Sequence, residues 1–332
     1  MINTLQAGRF LAAMAVVFHH AVISVTAFVE TPPKLAQAVL EYGYLGVDFF
    51  FVLSGFIIHF TMNLKPRPAT QFAIDRLGRI LLPYWPIGVA LALAYTLLPS
   101  LSDSGREWSW VSTLTLFPTE LPPALSVAWT LQHELVFYLL YAVLFFSNKI
   151  VIGLFLWALG IVAFYIFGAP EFPLLRMVFA PINFEFIAGV AAASLFLSNR
   201  SIPAAWSIIV AIAFLLSFLL LGANRSESWL IGFSIASLLP FLCKVEVAGL
   251  FVVPRWLVFG GAASYAIYLT HNPLLSFTSR ILGSTDLGWI IALALSAFLC
   301  AAFGVAYYTL LERPIMRFYK QRQEKLASAK PI

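Results

Sequence analysis

Ten stretches of apolar side chains, separated by short polar segments, dominate the chain. A helix needs about 20 apolar residues to cross a hydrocarbon layer of about 30 Å, and most of these stretches approach or exceed that length. They cover residues 5–28, 41–62, 79–98, 126–147, 149–168, 178–198, 204–222, 228–242, 256–277 and 288–311. Only helices and closed barrels satisfy every backbone polar group in lipid. The pattern predicts an all-α, polytopic integral membrane protein with about ten transmembrane helices, the third interrupted by Pro83 and Pro86.

The first stretch carries an unusual pair of ionisable side chains. Arg9 and His20 are eleven residues apart in a segment whose other strongly polar residues are Gln6 and His19. Eleven steps along a helix return to within about 20° of the starting face and advance about 16 Å. Ionisable groups inside a spanning helix are costly and usually mark a functional path. We therefore expect one helix face with a cation near one membrane surface and an imidazole deep inside.

The distribution of basic residues predicts how the chain is oriented in the membrane. Apolar residues make up 61% of the chain and charged residues 11%, as in a membrane protein. With ten spans, all but five of the 20 Lys and Arg residues fall on one side, including Arg200 and Lys330. The five exceptions are Lys34, Arg106, Arg176, Arg225 and Arg280. The positive-inside rule then places both termini in the cytoplasm. Topology and anionic lipid account for the net charge of +5, so no nucleic-acid partner is expected.

The connections between the apolar stretches are too short to hold a soluble domain. We expect one transmembrane domain over residues 1–314 and a basic cytoplasmic tail over residues 315–332. The first stretch is long and lacks a small-residue cleavage site, so it is read as a retained helix and not as a signal peptide. Cys243 and Cys300 lie on different predicted helices, and neither a disulfide nor a metal site is predicted.

Counting at 1.5 Å per residue from the helix ends places five ionisable side chains at one depth, about 10 Å below the outer membrane boundary. These are His20, Asp48, Glu134, Glu185 and His271. Such a layer describes either a catalytic centre or the proton relay of a secondary transporter.

Three arginines are predicted at the cytoplasmic mouth. Arg9 opens the first helix, and Arg76 and Arg79 precede the third at a spacing that shares one face if the segment is helical. Guanidinium groups suit bidentate phosphate recognition, so these residues are candidates for binding a phosphate-rich donor; simple anchoring at the membrane surface is the alternative.

Other polar residues are assigned structural roles. His19, His59 and His133 are expected to make structural or interfacial contacts. Ser54 is expected to be a small packing residue, and Tyr138 to pack and shape a cavity.

Several motifs occur in a fixed order along most of the chain. They are Arg9 with His20, Gly46-Val-Asp-Phe-Phe-Phe-Val-Leu-Ser-Gly-Phe56, Arg76-x-x-Arg79 followed by Leu-Pro-Tyr-Trp85, Trp129-Thr-Leu-Gln-His-Glu134 with Phe137-Tyr138, Ser264-Tyr-Ala-Ile-Tyr-Leu-Thr-His271, and Glu312-Arg-Pro314. In this ordered set the chain resembles the acyltransferase family 3 membrane proteins, which O-acylate bacterial surface carbohydrates. The opening Leu5-Gln-Ala-Gly-Arg9 looks most like the exopolysaccharide-modifying members.

The resemblance implies an O-acyltransferase of the bacterial cytoplasmic (inner) membrane. Its donor would be cytoplasmic acyl-CoA, commonly acetyl-CoA, used as a substrate and not held as a permanent cofactor. Its acceptor would be a hydroxyl of a carbohydrate or a lipid-linked glycan, and polysaccharide-biosynthesis proteins are possible partners.

For this reaction the candidate catalytic residues are His20, Asp48, Glu134 and His271, and the candidate donor-binding residues are Arg9, Arg76 and Arg79. His20 would act either as general base toward the alcohol or as a covalent acyl carrier. Asp48 or Glu134 would orient its ring. A proton-coupled transporter or an exporter of acyl groups remains the alternative from another class.

Overall fold

The computed structural model describes residues 2–98, 107–198 and 203–328. Arg106, Arg200 and Lys330, which entered the prediction of orientation, lie outside these ranges. The described residues contain helices and no strand, so the all-α prediction is confirmed.

Fourteen α-helices occur in the described part of the chain. In order they are α1 (Asn3–Phe28), α2 (Lys34–Glu41), α3 (Gly46–Leu64), α4 (Ala69–Leu97), α5 (Trp110–Thr115), α6 (Trp129–Phe146), α7 (Ile150–Phe167), α8 (Pro173–Val178), α9 (Asn183–Leu197), α10 (Ala204–Leu220), α11 (Trp229–Val247), α12 (Arg255–Leu282), α13 (Trp289–Tyr307) and α14 (Arg313–Ser328).

Seven helical segments within the described ranges are long and apolar enough to cross a membrane, and the protein is a multi-pass membrane protein. These segments are Asn3–Phe28, Lys34–Leu64, Ala69–Leu97, Ser126–Phe146, Ile150–Phe167, Arg225–Val247 and Trp289–Lys325. Helices α9 and α10 are apolar but shorter. Helix α12 has sufficient length, but polar residues such as His271 and Asn272 lower its hydropathy. The ten spans and the cytoplasmic termini stay predictions.

Helices α1 and α12 pack side by side and run parallel. Gly261 faces the backbone of Gln6 near one end, and Gly283 faces the carbonyl of Phe28 near the other. A Cβ at either glycine would collide with the opposing backbone, so the two helices approach as closely as small residues permit. A cluster of buried apolar residues that includes Ala13 fills the seam between them. This close pairing fixes the register between α1 and α12.

Helices α3 and α9 also meet at glycine. A Cβ on Gly55 would strike the Phe186 carbonyl, and one on Gly189 would strike the Val52 carbonyl. Beside this contact the Phe186 ring stacks on Phe51 and Phe137, with centroid separations of 4.7 and 4.3 Å. The first turn of α3, which carries Asp48, is therefore held firmly against α9.

Helix α4 differs from its prediction in two respects. It begins at Ala69, ten residues before the predicted apolar segment, so Arg76 and Arg79 lie inside the helix and do not precede it. It also continues through Pro83 and Pro86, so the predicted interruption is wrong. The charged first turns were excluded because they lack apolar periodicity, although a helix can extend beyond the apolar layer with polar side chains.

The C-terminal segment is a continuation of the last predicted span. A π-helical turn, Tyr308–Glu312, joins α13 to α14 without a break. Helix α14 contacts α4, because the Tyr319 hydroxyl donates to the Ile74 carbonyl at 2.9 Å and Gln71 donates to Gln323 at 2.9 Å. The described part of the basic tail is therefore a docked helix.

Candidate active site

The side chains of two histidines meet where α1 contacts α12. His271 Nε2 lies 3.3 Å from His20 Nδ1, and the ring centroids are 4.9 Å apart. His271 is fully buried, while His20 is partly exposed. Of the five ionisable residues predicted to share a depth, these two are in direct contact.

The hydrogen bonds of this pair define the tautomer of each ring. A backbone carbonyl can only accept, so His20 Nδ1, 3.0 Å from the Val16 carbonyl, carries the proton. His271 Nδ1 lies 2.6 Å from the Tyr268 carbonyl and is protonated for the same reason. His271 Nε2 then presents a lone pair, and the single proton of His20 Nδ1 is shared between it and the Val16 carbonyl. His20 Nε2 has no hydrogen-bond partner within the described residues, and its lone pair is free to accept a proton.

Tyr268 closes one end of a cavity next to the histidine pair. Its ring centroid lies 5.5 Å from that of His271, and its hydroxyl is 3.0 Å from Thr130 Oγ1. The same hydroxyl donates to the Val127 carbonyl at 3.3 Å. Tyr268 therefore stands between the cavity and His271.

The cavity, called here the arginine cavity, has a volume of about 120 Å³ and is lined by Arg9, Arg76, Arg79, Glu134, Ser54, Tyr138, Thr130, Tyr265, Tyr268 and neighbouring apolar residues. The three predicted donor-binding arginines thus share one site, although they come from α1 and α4.

Each arginine of this cavity has its own restraint. Arg9 Nε donates to Ser264 Oγ at 3.1 Å, and Arg79 lies 3.4 Å from the buried Glu312 carboxylate. Arg76 lies over the Tyr138 ring at 5.5 Å. Such contacts orient the guanidinium groups before any ligand binds.

Glu134 lies on the wall of the arginine cavity and not beside His20. Ser54 Oγ donates to its carboxylate at 2.9 Å, and the Tyr138 hydroxyl donates to the same oxygen. The prediction that Glu134 could orient the His20 ring is therefore wrong, whereas the shared depth stays a prediction, because depth carries no information about direction around the helix. Ser54 and Tyr138, expected to be packing residues, also hold this carboxylate.

Asp48 and Glu185 form a separate buried group. Glu185 is fully buried and Asp48 is 2% exposed. The two carboxyl groups lie within hydrogen-bonding reach of each other, and the Asp48 carboxyl also reaches Ser228. Glycine at position 232 leaves room for the Glu185 side chain, because a Cβ there would collide with that side chain. No described hydrogen bond links either carboxylate to His20, so the partner of His20 is His271 and not the predicted Asp48 or Glu134.

The remaining histidines make the structural contacts that the sequence predicted. His59 Nδ1 lies 3.1 Å from the Tyr141 hydroxyl, and His133 Nδ1 lies 3.2 Å from Asn183 Oδ1. His19 packs edge-on against Tyr44 with centroids 5.9 Å apart. Within the described ranges, no group of three or more His, Cys, Asp and Glu residues is placed to hold a metal ion.

A second and larger space, called here the basic cavity, adjoins the arginine cavity and shares Arg76 and Arg79 with it. It has a volume of about 870 Å³ and lies between the ends of α3 and α4 and helix α14. Its cationic residues are Lys65, Arg67, Arg76, Arg79, Arg313, Arg317 and Lys320. Two adjoining cavities with this charge suit an extended ligand that carries several phosphates.

Sequence reasoning did not assign roles to Ser264, Tyr268 or Glu312, although all three lie in motifs that it singled out. For Ser264, the sequence did contain a signal. Ser264 and His271 are seven residues apart, which places them within about 20° of one helix face. Arg9 and His20 have the same property on α1, so matching two polar faces would have suggested the pairing of these helices.

Comparison with known proteins gives the following matches. A family model described as an acyltransferase domain matches residues 2–311. The exopolysaccharide production protein ExoZ of Rhizobium meliloti (strain 1021) is 29% identical to this chain over 296 residues, which are 85% of this chain and 92% of that protein. No solved structure matches the chain.

Proposed function

The chain belongs to the acyltransferase family whose model covers residues 2–311, and on this premise we propose that it transfers an acyl group from cytoplasmic acyl-CoA to a carbohydrate hydroxyl. The donor is acetyl-CoA, and the acceptor is an extracytoplasmic or lipid-linked glycan. The relative ExoZ is described as an exopolysaccharide production protein, which supports a polysaccharide as the acceptor.

The two cationic cavities support the choice of donor. Coenzyme A carries several phosphates on its nucleotide part and ends in a long, uncharged pantetheine arm. The basic cavity supplies lysines and arginines for the phosphates, and Arg76 and Arg79 form the passage into the arginine cavity. The thioester at the end of the arm would then lie near Arg9, Thr130 and Tyr268.

His20 is the residue that activates the acceptor. An alcohol is a poor nucleophile at neutral pH, and an imidazole of ordinary pKa near 6.5 can remove its proton as attack develops. In this step His20 Nε2 takes the hydroxyl proton, the alcohol oxygen bonds to the thioester carbonyl carbon, and the C–S bond breaks. The proton passes to the departing thiolate, which yields the ester and free coenzyme A. His271 accepts from Nδ1–H and stabilises the imidazolium during the reaction.

A covalent route uses the same atom. Here His20 Nε2 attacks the thioester carbonyl carbon, the C–S bond breaks, and the departing thiolate takes up the Nδ1 proton of the ring, so coenzyme A leaves as the thiol. The acceptor hydroxyl then attacks the acyl-imidazole, loses its proton to the released ring nitrogen and forms the ester. The two routes differ in whether the protein itself carries the acyl group.

One observation carries the proposal: the seam between α1 and α12 holds both the histidine pair and Arg9, which lines the arginine cavity. Arg9 bonds Ser264 at one level, and His20 bonds His271 about 16 Å further along α1. In the proposed complex, the acyl end of the donor extends from Arg9 past Tyr268 toward His20.

The test supplies radiolabelled acetyl-CoA to one face of proteoliposomes and measures label on carbohydrate and on protein. Wild-type protein is expected to label the carbohydrate, and His20→Ala is expected to abolish transfer. His59→Gln is the matched control, because His59 is a histidine outside both cavities. Label retained on wild-type protein but absent from His20→Ala would favour the covalent route. A folded wild-type protein that acylates no carbohydrate, or one that moves acetate across the membrane without esterifying anything, would overturn the proposal in favour of a transporter or exporter.

A further inference from the structure

A third cavity, called here the Asp48 cavity, lies at the opposite end of α3 from the basic cavity. Asp48 is in the first turn of α3, whereas Thr61 in its last turns lines the basic cavity. Thirteen residues of helix separate them, or about 20 Å. The Asp48 cavity has a volume of about 340 Å³, and Val47 lines both this cavity and the arginine cavity.

The walls of the Asp48 cavity are aromatic. Tyr44, Trp129, Tyr165 and Trp229 line it, together with Arg225. Aromatic rings offer flat apolar faces with a polar group at one edge. The C–H faces of a sugar ring stack on such surfaces, while its hydroxyls remain free to bond at the edges.

Two polar atoms at this cavity have no partner within the described residues. They are the Tyr44 hydroxyl and Trp229 Nε1, both shielded from solvent. A buried polar group without a hydrogen bond costs about 1–3 kcal/mol, so these atoms are suited to bonds that a ligand supplies. With the Asp48 carboxyl beside them, the wall offers an acceptor, a donor and a hydroxyl that can act as either, which matches the mixed bonding of sugar hydroxyls.

The charge of this cavity differs from that of the basic cavity. Arg225 is the single cationic side chain among its lining residues, and Asp48 is the acidic one. The basic cavity is lined by seven lysines and arginines, so the phosphates of the donor are better matched there.

A short series of side chains connects the Asp48 cavity to the histidine pair. The Tyr44 ring contacts His19 with centroids 5.9 Å apart, and His19 contacts His20 with centroids 4.9 Å apart. A ligand held at Tyr44 therefore lies close to the proposed base without entering the arginine cavity.

We propose that the Asp48 cavity is the acceptor subsite, and that it binds a saccharide unit by stacking on Trp129 and Trp229 and by hydrogen bonds to Asp48, Tyr44 and the Trp229 indole. This assignment rests on the proposed function for the identity of the reaction, but saccharide binding is measurable without it.

The experiment uses the full chain in lipid nanodiscs, without donor. The probe is an oligosaccharide prepared by partial hydrolysis and base de-O-acylation of the exopolysaccharide made by the cells that naturally produce this protein. Calorimetry gives its dissociation constant. Tyr44→Phe, which keeps the ring and removes the hydroxyl, and Asp48→Asn are each expected to weaken binding by roughly three- to tenfold.

Matched controls lie outside the cavity. Tyr42→Phe makes the same change on an exposed neighbouring tyrosine, and Trp206→Phe matches a Trp229→Phe variant on the exposed face of α10. Both controls are expected to bind the oligosaccharide as wild type does. In the transfer assay, the cavity variants are expected to raise the acceptor KM and leave the donor KM unchanged.

The outcomes separate the two proposals. If the oligosaccharide does not bind wild type, or binds Tyr44→Phe, Asp48→Asn and Trp229→Phe as tightly as the controls, the acceptor subsite is refuted, whatever the transfer assay shows. If it binds wild type and the cavity variants lose affinity while no acyl group is transferred, the saccharide site is upheld and the proposed function fails.

Discussion

Replacement of His271 tests whether the histidine pair acts as a unit. His271→Leu keeps an apolar side chain of moderate size but removes the acceptor that faces His20 Nδ1 at 3.3 Å. His271 is fully buried, so water does not readily replace the lost group. Its bond to the imidazolium is charge-assisted and contributes about 1.5–3 kcal/mol. At 1.36 kcal/mol per factor of ten, kcat is expected to fall roughly 10- to 150-fold.

His271→Gln is the matched comparison. Its amide oxygen reaches about as far as Nε2 and accepts the same hydrogen bond, whereas both variants lose the bond to the Tyr268 carbonyl. The difference between Gln and Leu therefore isolates the acceptor facing His20. The glutamine variant is expected to recover most of the lost rate. Donor KM is expected to stay unchanged in both, because His271 does not line the arginine cavity.

The assay is steady-state transfer from labelled acetyl-CoA in proteoliposomes, with thermal unfolding measured in parallel. A wild-type kcat in folded His271→Leu would refute the pairing argument. Equal losses in the leucine and glutamine variants would also refute it, since a purely structural role does not distinguish an acceptor from an apolar side chain.

Three further changes test other parts of the site. Glu312→Gln removes the negative charge 3.4 Å from Arg79. The Arg79 guanidinium is then less restrained, so the donor KM is expected to rise several-fold. An unchanged donor KM in the transfer assay would show that Arg79 does not bind the donor. Tyr268→Phe loses the hydrogen bond to Thr130 but keeps the ring. In the absence of acceptor, this variant is expected to hydrolyse acetyl-CoA faster than wild type does. An unchanged rate of hydrolysis would show that Tyr268 is not a barrier between the arginine cavity and His271. Gly55→Ala is expected to lower the unfolding temperature by several degrees because its Cβ meets backbone. An unfolding temperature equal to that of wild type would refute this packing argument.

The sequence predicted the individual elements of the site better than their combination. The helix carrying Arg9 and His20 was predicted nearly to its ends, since apolar length and the cost of buried charge are local properties. The contact between His20 and His271 was not predicted, because it depends on which of several apolar helices pack together. In lipid, an apolar helix face packs about equally well against many other helices. Which helices pair is decided by small residues that allow close approach, such as Gly261.

Depth estimates carry only part of the information about a site. They predicted a common level for Glu134 and His20, and the direction of its side chain joins Glu134 to Ser54 and Tyr138 in the arginine cavity. Height along a helix axis and direction around it are independent, and hydropathy reports only the first. The early start of α4 was missed for a related reason, because Arg76 and Arg79 lie on a helix whose charged turns resemble a loop in composition.

The parallel seam of α1 and α12 has a consequence for how this chain tolerates insertions and deletions. Each residue added to α1 between Arg9 and His20 would turn the second relative to the first by about 100° and displace it by 1.5 Å. Gly261 and Gly283 hold the seam at both ends, so the helices cannot slide to compensate. The number of residues between Arg9 and His20 is therefore constrained more strictly than the identity of most residues that separate them.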